Sequence, residues 1–334
     1  MKNHKTLKQL IISHDNDYGF DVAQVIKEND ASRLPSLSIV IPYYETGETM
    51  KLTLKYLYDA LAYVKKMSKE KWSFEVIIVD DGSIIKKAVD YVNKELENIR
   101  LMTLSENMGR TEARNYGIKH AIYEKCLFID SDILIAKEYI YHNLLVHAHA
   151  GKKVITVGFF QFIDKDEAQN IGKHEIICED ILLNDYRIDC LYGPTWIGCK
   201  NDKEFIGKNF KIVNDTKFFR KWPNGGFYGP WFLTNMVLGG FFIVDTRTAK
   251  KCNGFDVAFK GYGFTETSLP TKLIAGFGHY LVPVIQGGCL HIDDKTINVS
   301  RENKDVIFRK KHNFYFNHYL NLTWEQSLKG YEKR

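Results

Sequence analysis

Two aspartates one residue apart, Asp130 and Asp132, close the apolar run Cys126-Leu127-Phe128-Ile129. A run of this length and composition suits a buried strand of a parallel sheet. Ligands of open α/β sheets gather at the carboxyl ends of such strands. Two carboxylates delivered there make a hard-oxygen site suited to Mg2+ or Mn2+ and, with it, a phosphorylated substrate. The plainer alternative makes both aspartates caps of a helix starting near Ile133. Two more strand ends bring polar groups toward the same edge, Pro42-Tyr43-Tyr44-Glu45 and Asp80-Asp81-Gly82-Ser83. A nucleotide needs a flat face for its base, an acceptor for its imide or amino hydrogen, and donors or a metal for its phosphates. Tyr43 or Tyr44 could supply the first, Asp80 or Asp81 the second, and Asp132 with a divalent ion the third. Asp-Asp-Gly-Ser is also a good turn sequence in its own right. Asn107-Met108-Gly109-Arg110 and Arg114-Asn115 set two arginines at the start of a helix, where surface ion pairing is the ordinary use.

The elements that must position these groups alternate. Leu37–Ile41 reads as a strand ended by Pro42, and Thr49 to about Lys69 as a helix with Leu54, Leu57, Leu61 and Val64 at helical spacing. Phe74–Val79 is a second strand, followed by a polar helix. Arg100–Leu104 is a third strand, Thr111–Tyr123 a helix and Cys126–Ile129 a fourth strand. This order argues for an α/β fold built from right-handed βαβ units on a mostly parallel central sheet flanked by helices. Val154–Phe162 reads as one further strand, and residues 163–230 as irregular and acceptor-facing. Leu238–Val244 is a strand whose Gly239-Gly240 pair suggests close backbone approach. A helix over Thr246–Lys251 and a strand over Tyr280–Ile285 lead to His291. The expected organisation is an extension over 1–35, a nucleotide-binding half over 36–150, an acceptor and catalytic half over 151–300, and an aromatic and basic tail over 301–334.

With 334 residues, the chain can bury a large core. Its 46 Lys and Arg against 41 Asp and Glu give +5, which suits anionic small ligands and is too weak a surplus to argue for nucleic acid. Its six cysteines show no Cys-x-x-Cys or zinc-like spacing, so a reduced, cytosolic setting is expected. No apolar segment has signal-peptide or membrane-span length. The tail mixes Arg309, Lys310 and Lys311 with Phe308, Phe314, Tyr315 and Trp324. It reads either as a helix packing back on the domain, the favoured option, or as a peripheral contact with the inner face of a membrane.

Ile39-Val40-Ile41-Pro42-Tyr43-Tyr44-Glu45, Val79-Asp80-Asp81-Gly82-Ser83, the Asn-x-Gly-x-x-x-Ala-Arg-Asn pattern of 107–115, and Asp130-Ser131-Asp132 together resemble the nucleotide-sugar-binding half of family 2 glycosyltransferases with the GT-A fold. Each motif alone is weak, and the ordered set is specific. The resemblance implies that the aspartate of 80–81 (Asp80 or Asp81) and the tyrosines bind uracil and ribose, and that Arg114 braces the nucleotide site. It also implies that Asp132 is the principal metal ligand. Pro42, Glu45, Asn107, Gly109, Arg110, Asp130 and Ser131 complete the expected donor site, with Asp130 toward the ribose or donor sugar.

A second stretch, Gly254-Phe255-Asp256 and Gly261 to Leu269, resembles the Gly-Trp-Gly-Gly-Glu-Asp-Asp-Asp segment of galactosyltransferase-like carboxyl-terminal regions. Aligned on the glycines, Glu266 falls on the catalytic aspartate and Tyr262 on an acceptor-stacking tryptophan. Phe264 replaces a glycine, Thr265 a glutamate, and Thr267 and Ser268 aspartates. Pro270 is tolerable only in a first helical turn. Trp231 and Gly240 join Tyr262 as acceptor-side candidates, and His291 takes the position where metal-dependent relatives keep a histidine ligand. The implied activity is metal-dependent, inverting transfer of a hexose or N-acetylhexosamine from a UDP-sugar to a hydroxyl, expected on a saccharide of a cell-surface or capsular polymer. A peptide acceptor, a sugar nucleotidyltransferase, and a degenerate nucleotide-sugar binder are the rivals. The nucleotidyltransferase would need a glycine- and arginine-rich loop where Tyr43-Tyr44-Glu45 stands.

Overall fold

The computed structural model describes residues 5–93, 95–171, 185, 189–192, 208–211, 220, 227–228, 231–261, 263–293 and 301–331. Two strands whose residues are all buried, β1 (Leu37–Tyr43) and β2 (Phe74–Asp80), lie side by side in a seven-stranded sheet. Both lie under helices, which is why they lack polar alternation. The exceptions on these strands are paired. Ser38 donates to Glu75 Oε1 at 2.7 Å, and Glu75 Oε2 meets Arg100 Nη1 at 2.6 Å.

The sheet also contains β3 (Ile99–Thr103), β4 (Lys125–Phe128), β6 (Val154–Val157), β12 (Phe242–Asp245) and β13 (Tyr280–Pro283). Their order is β13-β6-β12-β4-β1-β2-β3. Every neighbouring pair is parallel except the two that involve β12. The carboxyl ends of β1, β2 and β4 therefore share one edge, and the amino end of β12 joins them there. Helix α3 (Thr49–Met67) buries Met50, Leu54, Leu57, Leu61 and Val64, and α4 (Arg110–His120) packs on β1 and β2.

A smaller sheet is built from β5 (Ile133–Ile135), β14 (Cys289–Asp293) and β7 (Phe160–Asp164), in the order β5-β14-β7. The remaining described strands pair as two short ladders, β8 (Asp189–Tyr192) with β9 (Lys208–Lys211) and β10 (Phe227–Tyr228) with β11 (Trp231–Phe232). The amino-terminal segment, with helices α1 (Leu7–Ile12) and α2 (Val22–Glu28), inserts Leu7, Ile11, Tyr18, Val22 and Val25 into the same core. Leu7 N–H donates to Leu322 O at 2.8 Å, so the two ends of the chain meet. In the tail, the helices Arg301–Asn317 and Trp324–Leu328 flank the fully buried Tyr319, and Tyr315 is buried as well, in keeping with the packing-back reading. Among the described residues no helix is long and apolar enough to cross a membrane.

Several local expectations change: the strand read over Leu238–Val244 is confined to Phe242–Asp245, and the stretch read as irregular from 163 holds a helix at Lys165–Ile171. Pro42 lies inside β1 rather than ending it: β4 stops opposite Val40, so the missing Pro42 N–H faces no ladder partner. The polar helix expected after β2 is reduced to a 3-10 turn, Ala88–Asp90. Side chains take its backbone donors instead, with Glu45 accepting from Ile84, Ile85 and Lys86 and Asp80 accepting from Ala88. Val154–Phe162 is two strands, because the chain passes from the large sheet to the small one at Gly158-Phe159. Ile133–Ile135 is a strand, which removes the helix that Asp130 and Asp132 would have capped.

Candidate active site

The Pro42-Tyr43-Tyr44-Glu45 stretch folds into a junction. Glu45 adopts φ +52°, which turns its carboxylate onto the three N–H groups of residues 84–86 at 2.6–3.0 Å. Tyr43 is sealed inside, donating to Lys86 O at 2.6 Å and accepting from Gly47 N–H at 3.0 Å. Tyr44 remains 48% exposed, so its ring is the open one of the pair.

Asp80 and Asp81 are both buried, and all four of their oxygens accept backbone N–H groups. Asp80 holds Ser83 and Ala88, at 2.9 and 2.8 Å, and Asp81 holds Met108 and Gly109, each at 2.8 Å. Burial pushes the Asp81 carboxyl upward against those two N–H bonds. Through this clasp the end of β2 fixes Gly109, whose φ of +95° opens α4. Asn107 and Arg110 are exposed beside it.

One turn into α4, Arg114 is fully buried and reaches two carboxylates at once. Its Nη2 lies 2.6 Å from Asp130 Oδ1 and its Nη1 2.8 Å from Glu266 Oε1. Burial works against the guanidinium charge, but Asp130 and Glu266 more than offset it and its pKa rises. Asp130 is likewise held below the ordinary carboxylate range, burial being outweighed by Arg114. Thr265 donates its hydroxyl to the same Glu266 oxygen. Asn115, given no role by sequence reasoning, ties α4 to the Gly254–Asp256 turn. Its Oδ1 accepts Phe255 N–H at 2.7 Å and its Nδ2 donates to Phe255 O at 2.9 Å.

Asp130-Ser131-Asp132 links β4 to β5, and Ser131 fastens it. Ser131 Oγ shares a 2.7 Å hydrogen bond with Thr46 Oγ1, and its carbonyl accepts from Thr53 at 3.0 Å. In the antiparallel β5–β14 pair His291 stands opposite Ile133, so register alone brings it beside Asp132. His291 Nε2 is 3.6 Å from Asp132 Oδ1, and its ring lies against Phe160 and Phe162, whose centroids are 5.4 and 4.8 Å away.

Carboxylate oxygens of Asp130 and Asp132 and a ring nitrogen of His291 lie within 4.8 Å of one another. Asp132 Oδ1 and His291 Nδ1 are buried without a hydrogen-bond partner, although the Asp132 side chain as a whole keeps 34% of its surface. Burial, with the Asp130 charge adding to it, pushes the Asp132 carboxyl up. Two carboxylates and one imidazole, with donor atoms left unspent, fit a divalent cation by ligand type. Among the described residues, the buried Arg114 sets one cation between the two carboxylates of Asp130 and Glu266.

The Gly239-Gly240 turn before β12 closes over this cluster. A Cβ on Gly239 would stand 2.5 Å from Arg114 Nη2, 2.7 Å from Glu266 Oε1 and 3.1 Å from Asp130 Oδ2. On Gly240 it would meet the Phe160 ring at 2.8 Å. The glycine pair already suggests close backbone approach from its sequence, where Gly240 alone is a site candidate; in the structure it is Gly239 that meets the cluster. Gly239→Ala is expected to cost about 1–3 kcal/mol through overpacking, seen as a lower urea midpoint at unchanged m-value. An unchanged midpoint would show that the cluster gives way freely.

Thr267 and Ser268 are buried, and Ser268 Oγ accepts Asp256 N–H at 2.9 Å. Pro270 is the third residue of the helix Ser268–Phe277, within its first turn. The backbone of Trp231 is in β11, but its side chain, like the whole of Tyr262, falls outside the described residues. Asp130, Asp132, His291, Arg114, Glu266 and Gly239 therefore converge, while the tyrosine and aspartate motifs form the adjoining junction that supports α4.

The model of the family described as "Glycosyl transferase family 2" matches residues 38–214, more than half of the chain. A dolichyl-phosphate beta-glucosyltransferase of Dictyostelium discoideum is 33% identical over 125 residues, which span 32% of this chain and 37% of that protein. A poly-beta-1,6-N-acetyl-D-glucosamine synthase of Staphylococcus aureus (strain COL) is 30% identical over 124 residues, 37% of this chain and 28% of that protein. The chain thus spans well under half the length of these curated relatives. Among solved structures, GalNAc-T7 with UDP, GalNAc and Mn2+ superposes with a TM-score of 0.52 at 17% identity, covering 78% of this chain and 44% of that one. That likeness concerns the fold.

Proposed function

The chain belongs to glycosyl transferase family 2, and we propose that it transfers a hexose or N-acetylhexosamine from a UDP-sugar to an acceptor hydroxyl with inversion. The observation that carries this reading is one buried arginine bridging Asp130, a member of a metal-capable trio, and Glu266, the candidate base. The names of the two relatives support hexosyl or N-acetylhexosaminyl chemistry, and a growing saccharide is the acceptor class we favour. The solved neighbour's UDP and Mn2+ are compatible with the donor.

In this reading the uracil lies against Tyr44. Asp80 and Asp81 each have about four acceptor sites, more than the two that each spends on backbone N–H groups. A divalent cation held by Asp132 and His291, with Asp130 in reach, would offset charge growing on the departing diphosphate. Arg114 orients Asp130 and Glu266 relative to each other, fixing donor and acceptor sides in one frame. Glu266 Oε1 is engaged by Arg114 and Thr265, whereas Oε2 has no partner among the described residues. Oε2 takes the proton of the acceptor hydroxyl as it attacks the anomeric carbon opposite the leaving diphosphate. The covered Gly239-Gly240 backbone keeps this pair close and limits water around it.

The test is UDP release from UDP-glucose, UDP-galactose and their N-acetyl forms with Mn2+. Turnover of at least one donor, lost on adding EDTA, is expected. A protein that binds UDP yet releases none from any donor would instead be a nucleotide-sugar-binding module.

A further inference from the structure

Phe264 occupies a conformation that its side chain disfavours. Its φ is +59°, in the left-handed region that bulky residues rarely enter without outside support. The support comes from the tail. The Phe264 ring is 5% exposed and lies 5.1 Å from Phe308, 5.4 Å from Tyr315 and 5.8 Å from His312, all on the helix Arg301–Asn317. Phe308 also covers Gly263 so closely that a Cβ there would come within 2.9 Å of its ring. The floor of this socket is rigid, because the buried Tyr315 hydroxyl is hydrogen-bonded at 2.7 Å to both Thr234 and Thr271. Thr271 belongs to the helix that begins just after Glu266, and Thr234 to the segment leading into Gly239.

From Phe264 the support passes directly to the base. Thr267 N–H closes a turn onto Phe264 O at 3.3 Å, and Glu266 stands inside that turn. Thr265, also buried, donates to Glu266 Oε1. We propose that Phe264 is a positioning residue for Glu266, and that the helix Arg301–Asn317 is the socket which holds Phe264 left-handed and so aims the carboxylate. The proposal rests on Glu266 being the base. It gives the aromatic tail a role in the reaction that neither lipid docking nor plain packing requires. A glycine at 264 would take the same φ without strain, but it would have no ring to anchor the turn.

The experiment uses the full chain with Phe264→Gly, Phe308→Ala, their double variant and the milder Phe264→Leu. It reads kcat and KM for UDP release from the best donor of the panel above, UDP titration with Mn2+, and hydrogen–deuterium exchange over residues 263–267. Phe264→Gly and Phe308→Ala should each lower kcat by about tenfold to a hundredfold, the scale of a misplaced catalytic group. UDP affinity should stay within about twofold, because the donor site is unchanged. Exchange over 263–267 should quicken, and the double variant should be no worse than the weaker single, since both break one linkage. Phe264→Leu, keeping an apolar anchor, should recover part of the rate if the glycine variant folds poorly.

Wild-type kcat with wild-type exchange in Phe264→Gly overturns the proposal, as does full additivity of the two changes. A merely structural role would lower the melting temperature and leave the kcat of the folded protein intact. The exchange readout does not depend on turnover. If Glu266→Gln proves fully active while exchange over 263–267 still quickens, it is the assignment of Glu266 as base that fails, and the anchoring stands.

Discussion

Asp132→Asn is expected to abolish the metal-stimulated part of UDP binding. Partners of metal ligands are themselves worth ten- to a hundredfold in affinity, so removing a ligand should cost on the order of a hundredfold or more. The substitution is unusually clean, because Asp132 Oδ1 has no hydrogen-bond partner to lose and its approach to His291 Nε2 is a loose 3.6 Å. It also removes a half-buried carboxylate charge that sits beside that of Asp130. The thermal midpoint should therefore hold or rise while the calorimetric response to UDP with Mn2+ falls to the level seen with EDTA. Wild-type UDP titration in the presence of Mn2+ would remove Asp132 from the metal site.

Glu266→Gln should leave UDP affinity near that of the wild type and lower kcat by about 10²–10⁴, the usual contribution of a positioned general base. The amide oxygen can keep the contacts that Oε1 makes with Arg114 and Thr265. Asp130 still faces the guanidinium, so the buried charge is not stranded. What disappears is the proton acceptor. Single-turnover transfer at the wild-type rate in this variant would sink the assignment, and loss of UDP binding would show that Glu266 mainly shapes the donor side.

The parts legible in the sequence were those that a strand and its following turn specify together. Leu37–Tyr43, Phe74–Asp80 and Lys125–Phe128 are mostly apolar runs that lead into polar turns, and their parallel order places the turns on one edge. The helix Thr49–Met67 was equally plain from its buried stripe. Less legible were features decided by a distant partner. Ile133–Ile135 is three residues of no fixed preference until β14 pairs with it. The backbone after Ser83 had the polarity of a surface helix, but Glu45 and Asp80 captured its N–H groups. Asn115 and Gly239 were visible as residue types. Their purpose depends on Phe255 and on Arg114 with Glu266, which the chain brings close only in three dimensions.

The reversed strand β12 has a further consequence, for the order in which the protein forms. It lies between β4 and β6, both of which are synthesised well before it. Until residues 242–245 leave the ribosome, the two earlier strands have unpaired facing edges, which are templates for wrong pairing. Arg114 meanwhile must wait for a partner 152 residues away. The segment through β4 can collapse early around β1 and β2, whereas the candidate site is complete only once Glu266 and His291 have been made. Folding of this chain is thus expected to end at its candidate site.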